Sequence, residues 1–306
     1  MTRSRPAQLA PQKQPRAGRT TRCGFTLPEL MIALCVLLLV TSTLVQVLAR
    51  QQRFYRSVGE ILAARASMRD GIDILSADLR TASVQDTLTL ASDTAIEFVA
   101  TTGASTLCSD PTVGRMVVPP DTLASGNVLT AWAAVPDSDD LVAVYHDSLA
   151  IAPVPGWQRY RVASVTSSSA VMCPSTARAY EITVSPAVTI AAARGAPVRF
   201  LRRARYSVYR AGDSKWYLGY RRCGATACAP IQPVSGPYNG AEASPLELRY
   251  YAKTGARIPT PTSTVQVTRI DIVLRAASRG GISVPGMPPG ILHDSVLATV
   301  APRNAL

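Results

Sequence analysis

The sequence predicts an α+β protein in which a long N-terminal helix, transmembrane and then amphipathic, packs on a β-rich C-terminal globular domain. A charge-free apolar run lies near the N-terminus, and apolar residues continue after it at helical spacing. Beyond residue 82, short β-branched and aromatic segments alternate with Gly, Pro, Ser and Asp. The 306 residues are 47% hydrophobic and 17% charged, which excludes a wholly disordered chain. We therefore divide the chain into 1–24, a leader; 25–82, the helix; and 83–306, the β-rich domain.

The first 24 residues are basic, polar and without apolar periodicity, as expected for a cytoplasmic leader with no fold of its own. They contain half of the net charge of +12 and no acidic residue. The rest of the chain is only mildly basic, so nucleic acid is a possible partner that the composition does not require. The basic residues of the leader are Arg3, Arg5, Lys13, Arg16, Arg19 and Arg22.

The helix is predicted from about residue 27 to about residue 79. Residues 30–49 carry no charge, and 20 residues at about 1.5 Å each span roughly 30 Å, the thickness of the bilayer hydrocarbon. No proline occurs between Pro28 and Pro111, and Gly59 and Gly71 are candidate bend points. The second half should lie on a sheet through one face that carries Val58, Ile61, Met68, Ile72, Leu75 and Leu79.

Short apolar segments after residue 82 predict strands, with a hairpin that turns at residues 211–214 and long loops around 101–138. The predicted strands are 87–90, 95–100, 141–145, 160–165, 180–184, 198–210, 216–221, 246–251 and 265–274.

Four of the six cysteines lie in the body, while Cys23 is in the leader and Cys35 is expected to be a buried filler of the apolar run. An even number of cysteines beyond a membrane segment indicates two disulfides and an oxidising compartment. Three pairings are open. The short spacing favours Cys223 with Cys228, which leaves Cys108 with Cys173. A zinc site that starts from Cys223 and Cys228 is the weaker alternative, because both histidines of the chain are distant in sequence.

The junction between leader and helix reads Gly-Phe-Thr-Leu-Pro-Glu-Leu from Gly24 to Leu30, followed by the apolar run. This pattern closely resembles the class III signal of type IV prepilins. The resemblance implies that a membrane prepilin peptidase cuts after Gly24 and methylates the new N-terminus at Phe25. It also implies that Glu29 pairs with the N-terminal amine of a neighbouring subunit during assembly. A plain signal anchor, which would keep the leader, is the alternative.

The chain length and the absence of a mid-helix proline favour a minor over a major pilin, and the segments 68–80 and 265–274 resemble PilW-type minor pilins. The resemblance implies a structural subunit of a type IV pilus, with the inner membrane, prepilin peptidase and other major and minor pilins as partners. Such a subunit is single-pass, with a periplasmic C-terminal domain, and then enters the filament. A J-type pseudopilin of type II secretion is the alternative, and neighbouring secretin and secretion ATPase genes would favour it.

No catalytic role, cofactor, metal or small-molecule substrate is expected. The sequence has no nucleophile elbow, no phosphate-binding glycine loop, no dinucleotide glycines and no His-Glu-x-x-His pair. His146 and His293, each followed by an aspartate, are interpreted as surface polar pairs.

Two charged segments have a functional alternative beside a simpler interpretation. Asp137, Asp139 and Asp140 suggest calcium, but the run lacks the glycine and distal glutamate of a calcium loop, so a polar turn is favoured. A basic stripe interleaved with Phe200, Tyr206 and Tyr209 suggests DNA contact, whereas a solvated strand face is favoured. The stripe consists of Arg199, Arg202, Arg203, Arg205 and Arg210.

Overall fold

The computed structural model of the chain describes residues 24–82, 88–112, 114–121, 126, 128–146, 156–173, 178–187, 192–238, 244–263, 266–282 and 288–302. The chain divides into two compact units, with the boundary between Arg53 and Phe54. Within the described residues, one helix is followed by two antiparallel sheets, which confirms the α+β class.

Helix α1 comprises Leu27–Arg80, 54 residues, close to the predicted limits. It contains no proline after its first turn, and most of its residues are good helix formers. At its end, the Thr81 N–H donates to the Asp78 carbonyl at 2.9 Å and the Ala82 N–H to the Leu79 carbonyl at 3.2 Å. These shorter-range bonds satisfy carbonyls that would otherwise have no partner in the last turn.

The larger sheet of the described residues is organised around one long strand, β8 (Pro197–Arg210). Residues 197–207 of β8 pair with the whole length of β2 (Ala95–Thr106), and the other edge of β8 pairs first with β5 (Leu141–His146) and then with β9 (Trp216–Cys223). The remaining strands of this sheet are β1 (Leu90–Ala91), β3 (Arg115–Val118), β4 (Ala131–Trp132), β6 (Gly156–Met172), β7 (Arg178–Ser185) and β10 (Gln232–Tyr238).

The second sheet has the strand order β12-β11-β13-β14. Its strands are β11 (Leu246–Tyr251), β12 (Arg257–Ile258), β13 (Arg269–Ala277) and β14 (His293–Val300).

The second half of α1 packs in the main core, as the spacing of its apolar residues predicted. Met68, Ile72, Leu75 and Leu79 are buried together with apolar side chains of both sheets. Val58 and Ile61 are only partly buried. Of the two candidate bend points, Gly59 is exposed and Gly71 is buried, and α1 is continuous through both.

Several predicted strands are correct in position but too short, because β2 and β6 continue beyond the apolar segments from which they were inferred. Of the first predicted strand, 87–90, residue 87 lies outside the described residues and residues 88 and 89 are not in a strand, because β1 begins only at Leu90. The last predicted strand begins at Arg269, not at residue 265, and ends later. The predicted loop region contains β3 and β4, whose short lengths give no periodic signal. β10 and β14 were also missed, and β10 carries two prolines that argue against a strand.

Candidate functional site: the N-terminal segment of α1

The predicted cleavage junction lies in a non-helical, exposed stretch immediately before α1. Gly24, Phe25 and Thr26 all precede the helix, and the Phe25 side chain is 79% exposed. A Cβ placed on Gly24 would meet no atom within 4 Å, so the glycine is not required by packing. An accessible backbone outside regular secondary structure, with a glycine that can adopt an extended conformation, is what a protease cleft accepts.

The first turn of α1 has a local signal that reasoning from the sequence missed. The Thr26 carbonyl accepts the first helical hydrogen bond, from the Leu30 N–H at 3.1 Å, which makes Thr26 the N-cap residue. Thr26 and Glu29 therefore have the spacing of a capping box, and Pro28 lies in the one turn where its missing N–H is tolerated. Glu29 also places a negative charge near the positive end of the helix dipole. The carboxylate thus has a local stabilising role besides the one that the prepilin resemblance implies.

The apolar run of α1 is exposed in the single chain. Residues 24–48 are all exposed, and α1 is long and apolar enough to span a membrane. The three hydroxyl side chains in the run are satisfied by the helix itself: Thr41 Oγ1 donates to the Leu37 carbonyl at 2.8 Å, and Ser42 and Thr43 donate to carbonyls three residues earlier. Cys35 is an exposed free thiol, so its prediction as a buried filler is wrong for the isolated chain. Apart from the exposed amide of Gln46, the surface of this run is compatible with an apolar environment.

The four body cysteines form the two pairs that the spacing favoured. Cys108 is joined to Cys173 and Cys223 to Cys228. Among the described residues, Glu97 and the second pair have possible metal-ligand atoms within 4.8 Å of one another. The two sulfurs are bonded to each other and are therefore not thiolate ligands. Glu97 accepts a hydrogen bond from Arg205 Nε at 2.7 Å, so this group gives no support to a zinc site.

The arginines of the basic stripe have partners within the chain. Arg205 Nη2 lies 2.6 Å from a Glu97 carboxylate oxygen, and Arg202 Nη2 lies 2.7 Å from Asp140. Arg203 lies 3.8 Å from Glu97. Arg199 is stacked over the Trp157 ring at 4.4 Å, and Arg210 donates to the Ser214 carbonyl at 2.9 Å.

Two of the three aromatic residues of the stripe, Phe200 and Tyr206, are buried and unavailable for stacking on bases, and Tyr209 is half-buried. The favoured interpretation, a solvated face, also needs correction, because several of these arginines belong to ion pairs. Both facts argue against the hypothesis that this stripe contacts DNA.

The aspartate run is a turn held by arginines. Asp137 lies 2.6 Å from Arg222, Asp140 accepts from Arg202 and Arg222, and Asp139 lies 3.9 Å from Arg161. The hydrogen bond from Arg222 holds the pKa of Asp137 below its usual value. Because each carboxylate already faces a guanidinium group, the arrangement fits a polar turn better than a calcium site.

The two histidines differ in their surroundings. His146 is 6% exposed on β5, and its Nδ1 has no hydrogen-bond partner among the described residues, so its prediction as a surface residue is wrong. Asp147 lies outside the described residues. His293 is exposed as predicted, and Asp294 accepts a hydrogen bond from Arg65 of α1 at 2.6 Å.

Comparison of the chain with protein-family models, with curated proteins and with solved structures finds no match. The class of the protein is therefore defined here by its architecture alone: a β-rich body preceded by an exposed apolar helix.

Proposed function

We propose that this chain is a minor pilin, a structural and assembly subunit of a type IV pilus. In this proposal a prepilin peptidase cuts after Gly24 and methylates Phe25, and the helix anchors the subunit in the inner membrane with its body in the periplasm. Assembly then transfers the helix into the filament, among the helices of other major and minor pilins.

The exposed apolar surface of α1 is the observation that carries this proposal. Covering one large apolar side chain contributes about 1.5–3 kcal/mol, so the many exposed leucines and valines of residues 27–48 require lipid or other helices around them. Because the predicted cut precedes this segment, the mature protein keeps it. A secretory signal is cut after its apolar segment, so a mature protein made in that way would lose the segment.

The position of Glu29 supports assembly rather than simple anchoring. A carboxylate on a membrane helix costs about 2.5–3.5 kcal/mol if it must move to the centre of the bilayer, so an unpaired one needs a partner there. Glu29 lies at the very start of α1, only four residues after Phe25. A neighbouring subunit's N-terminal amine, at the same depth when helices are staggered, would neutralise the carboxylate and fix the register of the two helices.

Processing is tested by expressing the full chain with an active prepilin peptidase and measuring the mass of its N-terminal peptide. We expect the loss of residues 1–24 and a methylated Phe25. A Gly24→Arg variant should stay uncut, because its side chain blocks the extended approach to the protease. An intact leader in the wild-type protein, or a cut beyond residue 45, would contradict the proposal.

A further inference from the structure

The stretch of α1 that follows the apolar run is strongly basic. Arg50, Arg53 and Arg56 occur within seven residues, and the chain has no acidic residue between Glu29 and Glu60. Arg50 and Arg56 are exposed on the helix. At 3.6 residues per turn, a spacing of three keeps the side chains within roughly a third of the helix circumference. The helix therefore presents a concentrated positive charge immediately after its last apolar turn.

The length of the apolar run gives the depth of this charge in a membrane. If residues 30–49 fill the roughly 30 Å of hydrocarbon, Arg50 is the first charged side chain beyond it. Arginine side chains near a helix end extend their charged groups to the interface while their methylene stems remain in apolar surroundings. The guanidinium groups would then lie at the level of the phospholipid headgroups.

Two aromatic side chains accompany the arginines. Phe54 and Tyr55 are exposed at 39% and 71%, and their rings meet edge to face with centroids 6.0 Å apart. Aromatic residues with a polar tip, such as tyrosine, are enriched at membrane interfaces. Their position supports the same depth for residues 50–56.

We propose that residues 50–56 of α1 form a headgroup collar that binds the phosphates of anionic phospholipids in the periplasmic leaflet. This inference rests on the proposed membrane anchoring and adds a lipid partner to it. A guanidinium group matches a phosphate with two parallel hydrogen bonds. Anionic lipids are preferred over zwitterionic ones, because the collar has no acidic residue to attract the cationic part of a zwitterionic headgroup. The six basic residues of the leader outnumber the three of the collar, so the orientation still follows the positive-inside rule.

The test uses the full chain reconstituted in phosphatidylcholine bilayers that contain a trace of spin-labelled lipid. Electron paramagnetic resonance measures the fraction of labelled lipid whose motion the protein restricts. We expect labelled phosphatidylglycerol to associate about fivefold more strongly than labelled phosphatidylcholine for each arginine engaged. The preference should largely disappear in 1 M salt and in the Arg50→Gln/Arg56→Gln variant.

A matched control is Lys253→Gln/Arg257→Gln, which removes the same charge from exposed positions of the body and should keep the preference. Equal association of the two lipids with the wild-type protein, or an equal loss of preference in the control, would overturn the proposal of a headgroup collar. The proposed membrane anchoring would not be affected by either result. If neither lipid is restricted, the helix is not in the bilayer, and the membrane anchoring in the proposed function fails with it.

Discussion

Glu29 lies in the first turn of α1, and in the proposed function it would contribute both within the helix and between subunits. Its spacing from Thr26 is that of a capping box, a role that glutamine fills as well as glutamate. Pairing with a neighbouring N-terminal amine needs the negative charge itself. Substitutions that separate polarity from charge therefore distinguish the two contributions.

We predict that Glu29→Val and Glu29→Gln both insert into the membrane and are both cut after Gly24, because neither lowers the apolar character of the helix. Both should enter filaments at least about tenfold less than the wild-type protein, since the amine of the incoming subunit loses its counter-charge. Immunoblots of the membrane and sheared-filament fractions from one culture measure both outcomes. Wild-type incorporation of Glu29→Gln would show that the charge makes no assembly contact.

Glu247 on β11 is the carboxylate whose ionisation is most clearly coupled to the fold. Arg249 Nε lies 2.6 Å from one oxygen, and Arg275 of β13 binds the other. The hydrogen bonds from Arg249 and then Arg275 lower the pKa of Glu247 to about 2. Because the folded-state pKa is below the unfolded value of 4.5, the stabilisation is complete above about pH 4.5 and is lost as the pH falls towards 2.

We predict that Glu247→Gln lowers the stability of the body at pH 7 and reduces its dependence on pH between 4.5 and 2. Thermal unfolding followed by circular dichroism across this range measures the effect. Glu181→Gln is the control, because Glu181 is buried to a similar extent but is paired with one guanidinium group, that of Arg115 at 3.1 Å, and this variant should keep the wild-type pH dependence. A wild-type pH profile for Glu247→Gln would contradict the assignment.

At the scale of elements, the contact between α1 and the sheets depends on a close approach at Gly71. A Cβ on Gly71 would overlap the Tyr238 hydroxyl of β10 and lie 2.9 Å from Leu274 Cδ1 of β13. The Tyr238 hydroxyl also lies 3.5 Å from the Ser67 carbonyl of α1. Packing therefore requires a glycine at this position.

We predict that Gly71→Ala destabilises the body by about 1–3 kcal/mol, the usual effect of overpacking a filled core. Gly59→Ala is the matched control in the same helix, since its Cβ would meet nothing within 4 Å. That change should be neutral or stabilise the protein by up to about 1 kcal/mol through helix propensity. Urea unfolding of both variants decides the matter, and equal effects would contradict the packing role of Gly71.

Strand β8 carries the boundary between the two larger apolar clusters of the described residues. Val198 and Phe200 belong to one cluster, and Ala204 and Tyr206 to the other. Arg202 lies between these two pairs and, like them, is at every second position of the strand. The buried Asp140 binds the Arg202 guanidinium group through both carboxylate oxygens. The ion pair thus satisfies a charge that would otherwise face two apolar clusters.

At the scale of the whole molecule, the two disulfides close loops of very different length. Cys108 and Cys173 are 65 residues apart, whereas Cys223 and Cys228 are five apart. In the chain-entropy account, the longer loop removes more freedom from the unfolded chain and stabilises the fold more.

We predict that Cys108→Ser/Cys173→Ser costs roughly 4 kcal/mol and Cys223→Ser/Cys228→Ser roughly 2 kcal/mol. Urea unfolding of the fragment from Phe54 onward measures both effects without the apolar run. Thiol titration of the denatured wild-type fragment is the control and should find no reactive cysteine. Two or more reactive thiols would overturn the pairing, and a reversed order of the two costs would contradict the loop-length argument.

The sequence alone predicted the features that depend on neighbouring residues. The limits of α1, its exposed apolar first half and its packed second half follow from local periodicity, and the β8–β9 hairpin follows from its turn residues. The spacing from Thr26 to Glu29 was equally readable and was missed. Among the site residues, Gly24 and Phe25 are selected by the local sequence pattern by itself, while their processing stays a prediction.

The tertiary structure decided what depends on residues distant in the chain. It placed Glu97 beside Arg205, buried His146, and brought Tyr238 against Gly71. It also set the strand order, in which β8 pairs with β2, β5 and β9. Periodicity specifies which face of an element is apolar but not which other element covers that face, because many distant segments satisfy the same hydrophobic requirement. Only the folded chain selects one of them.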